Sequence, residues 1–281
     1  MCCFYYKKRK TKGFTLTELV IVIGIIGLLM SILFPSFHRI REQARSAVCT
    51  GNLQQIGYAV LSYFGDYDGY FPPAYQSDSG THWWGQKKSD GIDYRKGFAW
   101  PYLQTRLEEK GLYECPSQPY GSYHLQAKPA GAPDDPKWIT STYGYNGYYL
   151  SPPRTAWPNI DMRPWQKVTS VLHPAEVFVF ADTLLDRDTT GSSPNVENNA
   201  LLDPPYLYTS SGWRKNDFPT TCFRHLEKTG VLFADNHCRL MGLEDSKYTH
   251  PKSKIGSVGV TNAPHYVPDY KRWPVSPHGR R

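Results

Sequence analysis

The chain has 281 residues and a formal net charge of +7, most of which lies at its N-terminus. Five of the 32 basic residues fall within residues 1–13, where there is no acidic residue, so residues 14–281 carry 27 basic against 25 acidic side chains. A basic surface for nucleic acid is therefore not expected, because the excess charge is typical of a targeting segment. The whole chain has 21 Tyr, 8 Trp, 23 Pro and 23 Gly, a composition typical of a loop-rich domain with an aromatic core and not of a helical bundle.

Residues 14–34 form an apolar run that contains a single charged residue, Glu18. At 1.5 Å per residue, a helix of this length spans the roughly 30 Å hydrocarbon core of a bilayer. A cleavable secretory signal would have a shorter apolar region and a small-residue cleavage site behind it, whereas PSFH follows here at 35–38. The run is therefore predicted to be a membrane anchor, with the basic leader in the cytoplasm and the rest of the chain exported.

Glu18 is costly inside an apolar span and implies a partner, unless it lies close enough to the headgroups to reach them. The sequence GFTLTE at 13–18, followed by the apolar run, resembles the cleavage and methylation motif of type IV prepilins and type II secretion pseudopilins. The resemblance implies that a prepilin peptidase cuts between Gly13 and Phe14 and methylates Phe14. It also implies that Glu18 pairs with the terminal amine of a neighbouring subunit during assembly. Pro35 stands where these pilins carry a helix-bending proline, which has no N–H to donate.

The same resemblance implies an α+β, pilin-like fold, in which a long N-terminal α-helix packs on a small antiparallel β-sheet head with long loops. It implies a structural subunit of a type II secretion pseudopilus or type IV pilus-like fibre, anchored by a single pass in the bacterial inner membrane with a periplasmic head. The implied partners are prepilin peptidase, other pilin or pseudopilin subunits, the inner-membrane assembly platform and membrane lipid. An alternative from a different class is a membrane-anchored module whose aromatic head binds glycans or secreted protein without forming a fibre.

The helix is predicted to continue past the anchor as an amphipathic segment. Apolar side chains recur at spacings of three or four residues, or multiples of these, at Ile40, Ala44, Val48, Ile56, Val60 and Tyr63. The helix is expected to end at Gly65, which gives a length of about fifty residues, on the order of 75 Å. The predicted segments are a leader (1–13), an anchor (14–35), an amphipathic helix (36–65), a head (66–243) and a C-terminal tail (244–281), which is poor in apolar residues and expected to be draped or disordered.

The head shows weaker patterns, separated by many turn residues. The predicted elements are a solvated turn over 66–69 in preference to a calcium loop, a short helix over 98–109, a strand over 112–116, an extended stretch over 143–150, a strand over 177–181, a long polar loop over 183–220, a hairpin made by 223–226 and 231–234, and a strand over 238–241.

A second resemblance covers the head. Arg224 and His225, followed after nine residues by Asp235, Asn236 and His237, resemble the H-x9-DG motif near the C-terminus of a large pilin-like family with prepilin N-termini. Asn236 stands where that family has glycine, and the turn is expected to survive because Asn tolerates left-handed backbone angles. Two further stretches are typical of that family, CxxNLxxIG at 49–57 and YxCPS at 113–117.

Removal of the leader leaves Cys49, Cys115, Cys222 and Cys238. Their spacings contain no CxxC, so a zinc ribbon is not expected. In an oxidising compartment an even number of cysteines is compatible with two disulfides. The favoured pairs are Cys49–Cys115 and Cys222–Cys238, although four cysteines permit three connectivities.

Two predicted strands end in aspartate, at Asp182 and Asp235. If they are adjacent, both carboxylates would lie at one sheet edge near His225 and His237, and this set suits zinc or another transition metal. The alternative is that each aspartate caps the turn after its strand and that the histidines are surface or packing residues. No other cofactor is expected. The sequence has no GxSxG, P-loop, HExxH or dinucleotide fingerprint, so we expect no enzymatic activity, with a tethered metallohydrolase at these four residues as the weaker alternative.

Overall fold

The structure is a computed structural model that describes residues 14–76, 79–88, 91–103, 112–118, 124–125, 141–152, 165–188, 194–209 and 212–268. The chain divides into two compact units, Met1–Arg41 and Glu42–Arg281. The predicted leader, with Gly13, lies outside the described residues, as do residues 104–111 and 269–281.

Helix α1 (Leu16–Asp66, 51 residues) confirms the predicted single N-terminal helix. Its start is a capping box: the backbone N–H of Thr15 donates to Glu18 Oε2 (2.8 Å), and the N–H of Glu18 donates to Thr15 Oγ1 (3.2 Å). At its other end, Asp68 and Gly69 take the positive φ angles 50° and 76°, and the Gly69 N–H donates to the Phe64 carbonyl (2.9 Å). This left-handed turn satisfies carbonyl groups that the helix leaves free, as expected for the predicted turn after the helix.

In the part of the chain that the structure describes, the remaining helices and strands are short. The helices are α2 (Trp100–Leu103) and α3 (Gly147–Leu150), with 3₁₀ turns at Tyr94–Lys96 and Val168–Ser170. The strands are β1 (Tyr75–Gln76), β2 (Thr81–His82), β3 (Gly85–Lys88), β4 (Gly91–Asp93), β5 (His124–Leu125), β6 (Tyr143–Tyr145), β7 (Phe178–Asp182), β8 (Leu185–Asp186), β9 (Val196–Asn198), β10 (Tyr206–Thr209), β11 (Gly212–Lys215), β12 (Thr221–Cys222), β13 (Thr229–Phe233), β14 (Cys238–Met241) and β15 (Ile255–Gly256).

The central sheet of the head has the strand order β14-β13-β7-β6, and each neighbouring pair is antiparallel. Every residue of β7 and β13 is buried, which means that both faces of the sheet are covered. Val179 and Leu232 pack in one apolar cluster together with the second half of α1, whereas Phe178 and Phe233 pack in a second cluster. The chain is thus α+β, with a long N-terminal helix followed by small antiparallel sheets, as predicted.

The first part of the predicted tail belongs to the core of the head. β15 pairs with β12, and Val258 and Tyr266 are fully buried in the second apolar cluster. Asn262 donates to Tyr149 Oη (2.7 Å) and to the Tyr206 carbonyl (2.8 Å). The expectation of a draped or disordered tail was therefore wrong for residues 244–268, because a few aromatic side chains and buried hydrogen bonds hold a segment that has no apolar run.

Several predicted head elements also differ from the structure. The strand over 177–181 and the strand over 238–241 are confirmed as β7 and β14. Residues 112–118 form turns, since the Cys115 N–H donates to Thr142 Oγ1 (2.6 Å) and not to a neighbouring strand. The predicted extended stretch over 143–150 is a strand followed by α3, and the predicted loop over 183–220 contains β8 to β11. Residues 223–226 form a turn, so the hairpin consists of β13 and β14. The described part of the predicted helix over 98–109 is limited to α2.

Candidate functional site

The first half of α1 presents an apolar surface on all sides. Every Leu, Ile, Val, Met and Phe of residues 14–34 is exposed, by between 43% (Val22) and 78% (Leu16). By length and composition this segment can cross a membrane. A surface of this kind requires lipid or other apolar helices as its surroundings.

Glu18 makes hydrogen bonds with Thr15 of its own chain. Its carboxylate accepts the backbone N–H of Thr15 and also the hydroxyl of Thr15, with Oε2 at 2.7 Å from Oγ1. A negative side chain at this position also interacts favourably with the positive end of the helix dipole. The predicted pairing of Glu18 with the terminal amine of a neighbouring subunit is not tested by a single chain. Helix α1 continues through Pro35, the position at which the resemblance implies a helix-bending proline.

A second candidate site lies in the core of the head, where four side chains of ligand type converge. Cys49 comes from α1, Cys115 from the turn at 112–118, Asp182 from the end of β7, and His225 from the turn between β12 and β13. One ligand atom from each lies within 4.8 Å of the other three, and none of the four residues is more than 2% exposed. We call this set the Cys-Asp-His cluster.

Strand direction explains which of the predicted metal ligands meet. β7 and β13 are antiparallel, with Ala181 opposite Val231, so the end of β7 lies beside the start of β13. Asp182, at the end of β7, therefore meets His225, which precedes β13. Asp235 and His237 follow β13 at the far end of the sheet and bind each other on the surface, with Oδ1 and Nδ1 2.5 Å apart. The predicted set of His225, Asp235, His237 and Asp182 is therefore wrong, because it divides into two distant pairs.

The contacts inside the cluster are short. Cys49 Sγ lies 3.3 Å from Asp182 Oδ1, Cys115 Sγ lies 3.2 Å from His225 Nε2, and His225 Nε2 lies 3.3 Å from Asp182 Oδ2. The backbone N–H of Gly230 donates to Asp182 Oδ2 (2.7 Å). The carboxylate is thus held in place by the strand next to it, and its oxygens are directed at the thiol and the imidazole.

A second set of polar groups surrounds the cluster. His225 Nδ1 lies 3.0 Å from Glu42 Oε1 and 3.2 Å from Ser117 Oγ, and Ser117 also donates to Glu42. Arg224 Nε lies 4.0 Å from Asp182 Oδ1, and the Arg224 guanidinium donates to the Thr183 carbonyl (2.6 Å). The imidazole is therefore oriented by hydrogen bonds on one nitrogen while its other nitrogen faces the thiol and the carboxylate.

These charges change the acidity of the buried groups. Burial acts to lower the pKa of His225, but its hydrogen bonds to Asp182 and Cys115 outweigh burial and raise the pKa to about 10. Burial acts to raise the pKa of Cys115, yet hydrogen bonds with Cys49 and His225 and the charge of Arg224 lower it to about 6. Burial also acts to raise the pKa of Asp182, and the neighbouring Arg224 and His225 hold that pKa below its ordinary value. The side chains by themselves thus form a network of opposite charges.

The sequence prediction assigned two of these four residues to another role. Cys49 and Cys115 were expected to form a disulfide, as were Cys222 and Cys238, whereas all four are free thiols in the structure. Cys222 packs with Leu184 in a separate small cluster. One signal did point to the site: the three stretches quoted for the second resemblance, at 49–57, 113–117 and 224–237, each contribute a ligand-type side chain to it.

A cavity of about 10 Å³ lies between α1 and the sheet, lined by residues such as Ile56, Tyr63 and Phe180. This volume holds at most a single water molecule.

Comparisons with known proteins agree with the N-terminal motif and extend to the head. Residues 8–34 match the prokaryotic N-terminal methylation motif, and residues 38–198, more than half of the chain, match the family described as "Protein of unknown function (DUF1559)". The type IV major pilin protein PilA of Myxococcus xanthus (strain DK1622) is 36% identical over 61 residues, which are 22% of this chain and 28% of that pilin. No solved structure matches the chain.

The matched region covers only part of the predicted motifs. The chain spans little more than a quarter of the pilin that it matches. The DUF1559 match ends at residue 198, before His225, so the resemblance of residues 225–236 to H-x9-DG stays a prediction. The methylation motif and the long helix are confirmed. The chain is a pilin-like protein with an N-terminal methylation motif, and it belongs to the DUF1559 family.

Proposed function

We propose that the chain is a structural subunit of a type IV pilus-like or type II secretion pseudopilus fibre, and not an enzyme. The observation that carries the proposal is the exposed apolar surface of residues 14–34, which lies within the matched methylation motif. Such a helix suits lipid before assembly and the apolar helices of other subunits after assembly. The partners of this half of α1 are then membrane lipid, an inner-membrane assembly platform and further pilin-like subunits.

In this proposal, a prepilin peptidase cuts between Gly13 and Phe14 and methylates the new N-terminus. The cut leaves a positive amine two residues before the first turn of α1, which begins at Leu16. Glu18 lies within that turn, where its carboxylate already accepts the N–H of Thr15. An ionised carboxylate in an apolar span is costly, and pairing with the amine of a neighbouring subunit would offset part of that cost.

Mass spectrometry of the mature protein tests the processing step. We expect the N-terminal peptide to begin at a methylated Phe14 in cells that contain a prepilin peptidase. In matched cells without the peptidase, the leader of residues 1–13 should remain attached. An intact Met1 in the presence of the peptidase, or a cut at another bond, would contradict the proposal.

Two substitutions of Glu18 test the assembly step and separate its two roles. Glu18→Ala removes both the cap on Thr15 and the charge, whereas Glu18→Gln keeps an oxygen that accepts the Thr15 N–H but carries no charge. If intersubunit charge pairing drives assembly, both variants should be processed normally, and neither should yield fibres that can be sheared from the cells. Fibres from Glu18→Gln at the wild-type level would show that Glu18 acts only as a helix cap.

The aromatic residues of the head do not favour the alternative of a glycan-binding module. The largest fully buried side chains are aromatic, among them Trp83, Trp84, Tyr143, Tyr145 and Tyr266. Several of these rings contact each other, as in the edge-to-face pair Trp83–Phe180 with centroids 4.8 Å apart. In the described part of the head, the high aromatic content is therefore used mainly for packing.

A further inference from the structure

We propose that Cys49, Cys115, Asp182 and His225 bind one Zn²⁺ ion, which fastens the second half of α1 to the central sheet of the head. This inference concerns the core of the head and is independent of the fibre proposal, which depends on residues 14–34.

The ligand types identify the ion. Two cysteine sulfurs, one imidazole nitrogen and one carboxylate oxygen are all donors that zinc accepts, and thiolates select against Mg²⁺ and Ca²⁺, which prefer oxygen ligands. The four donors come from protein alone, and all four residues are buried. A closed site with four protein ligands is typical of structural zinc, whereas catalytic zinc keeps one position open for water or substrate.

The spacing of the donors fits a tetrahedral site. With zinc–ligand distances of about 2.0–2.3 Å, the edges of the tetrahedron measure about 3.3–3.8 Å. Cys115 Sγ and His225 Nε2 are 3.2 Å apart. Asp182 places Oδ1 3.3 Å from Cys49 Sγ and Oδ2 3.3 Å from His225 Nε2, and a tetrahedral site would use one of these two oxygens. All remaining donor pairs lie within 4.8 Å. Binding therefore requires side-chain shifts on the order of 1 Å or less, without a rearrangement of the backbone.

Groups around the cluster provide the support that metal ligands usually have. Glu42 Oε1 lies 3.0 Å from His225 Nδ1, which leaves Nε2 free to face the ion, and carboxylate–histidine–zinc arrangements of this kind are common. The Gly230 N–H fixes the Asp182 carboxylate. A Cβ at Gly230 would lie 3.1 Å from Asp182 Oδ2 and 3.3 Å from Cys49 Sγ, so a larger residue would press on two ligands.

The charges of the proposed site balance in the buried core. Zn²⁺ with two thiolates and one carboxylate carries a net charge of −1. Arg224, whose side chain is 8% exposed, places its Nε 4.0 Å from Asp182 Oδ1 and supplies the compensating positive charge. The carboxylate of Glu42, next to His225, has its own partner in Arg45, whose Nη1 lies 3.6 Å from Glu42 Oε2. Such compensation matters because an unpaired charge in an apolar interior is costly.

The ion would join parts of the chain that are far apart in sequence. Cys49 is on α1, Cys115 follows 66 residues later, and Asp182 and His225 lie in the second half of the chain. Cross-links that close long loops remove conformational entropy from the unfolded chain. The ion would hold the second half of α1 and the central sheet together.

The first experiment uses the mature full-length protein, exported and purified in detergent without added chelator. We expect elemental analysis to give about one zinc per chain. Alkylation after denaturation in EDTA without reductant should label Cys49, Cys115, Cys222 and Cys238 as free thiols. A folded protein with no stoichiometric zinc, or with a Cys49–Cys115 disulfide as in the sequence prediction, would overturn the proposal.

The second experiment compares two cysteine substitutions. Cys115→Ser should reduce the zinc content at least tenfold, whereas Cys238→Ser, which alters a thiol outside the cluster, should leave it unchanged. Equal zinc content in the two variants would show that the metal binds elsewhere.

A third measurement avoids variants that fail to fold. Replacement of zinc by Co²⁺ in the wild-type protein should produce a thiolate-to-cobalt charge-transfer band and the strong visible absorption of tetrahedral cobalt. A cobalt spectrum of octahedral type without thiolate bands would contradict the proposed ligands.

A fourth experiment changes a group next to the ligands. Glu42→Gln, which removes the charge next to His225 without removing a ligand, should weaken zinc affinity about 10–100-fold.

Discussion

The two halves of helix α1 differ in what surrounds them, although they belong to one continuous helix. In residues 14–34 every large apolar side chain is exposed. In the second half, buried side chains recur at spacings of four and three residues, at Cys49, Leu53, Ile56, Val60 and Tyr63. The first pattern is apolar all round and the second is a stripe, so the first half of α1 offers an apolar surface on every side, whereas the second half packs one face in the core of the head.

The glycines of α1 show the same difference at the level of single atoms. A Cβ added at Gly24 or Gly27 meets nothing within 4 Å, whereas a Cβ at Gly57 would lie 2.1 Å from Asn236 Oδ1 and 2.9 Å from Leu232 Cδ1. Gly57 lets α1 approach the β13–β14 turn, and Gln54 Nε2 donates to the Asn236 carbonyl (2.9 Å) at the same contact.

The largest expected change in the free energy of unfolding is for a buried leucine of α1, compared with an exposed leucine of the same helix. Leu53→Ala removes a fully buried side chain and should lower the free energy of unfolding of the head by about 2–5 kcal/mol. Denaturant titration of the full chain in detergent measures this change. Tryptophan fluorescence reports on the head, because all eight tryptophans lie at or beyond position 83.

Leu28→Ala is the matched control, because Leu28 is 65% exposed. It should leave the unfolding of the head unchanged within about 0.5 kcal/mol. A loss similar to that of Leu53→Ala would show that the two halves of α1 are not packed as differently as the structure indicates.

A smaller effect is expected at the contact between α1 and the β13–β14 turn. Gly57→Ala should cost about 1–3 kcal/mol of unfolding free energy, because the new methyl group overlaps the Asn236 side chain. Asn236 has a φ of 70°, a conformation that glycine adopts without strain. Asn236→Gly should therefore be tolerated and should restore part of the stability lost in Gly57→Ala. Additive losses in the double variant would contradict this contact.

The sequence predicted regular elements better than the site. α1 follows from its long apolar run and the apolar stripe that continues it, and β7 follows from a short apolar run. The positive φ of Asn236 confirms the expected turn. The predicted set of metal ligands was wrong because both predicted strands end in aspartate, and the sequence does not show how the strands pair. Their antiparallel pairing brings Asp182 to His225 and places Asp235 at the other end of the sheet. Patterns of a single chain do not contain that pairing. Two-residue strands such as β8 and β12 are too short for a period-2 signal.

The smallest effect concerns a glycine on the outer side of the second half of α1. Gly51 is exposed, and a Cβ there meets nothing within 4 Å. Gly51→Ala should therefore raise the free energy of unfolding by about 0.5–1 kcal/mol, because alanine loses less backbone entropy in a helix. The same titration in detergent measures this gain against Gly57→Ala, six residues further along the helix. A loss of stability at Gly51 would place a neighbour against that face, and the buried stripe would then not be the only packed side of this half of α1.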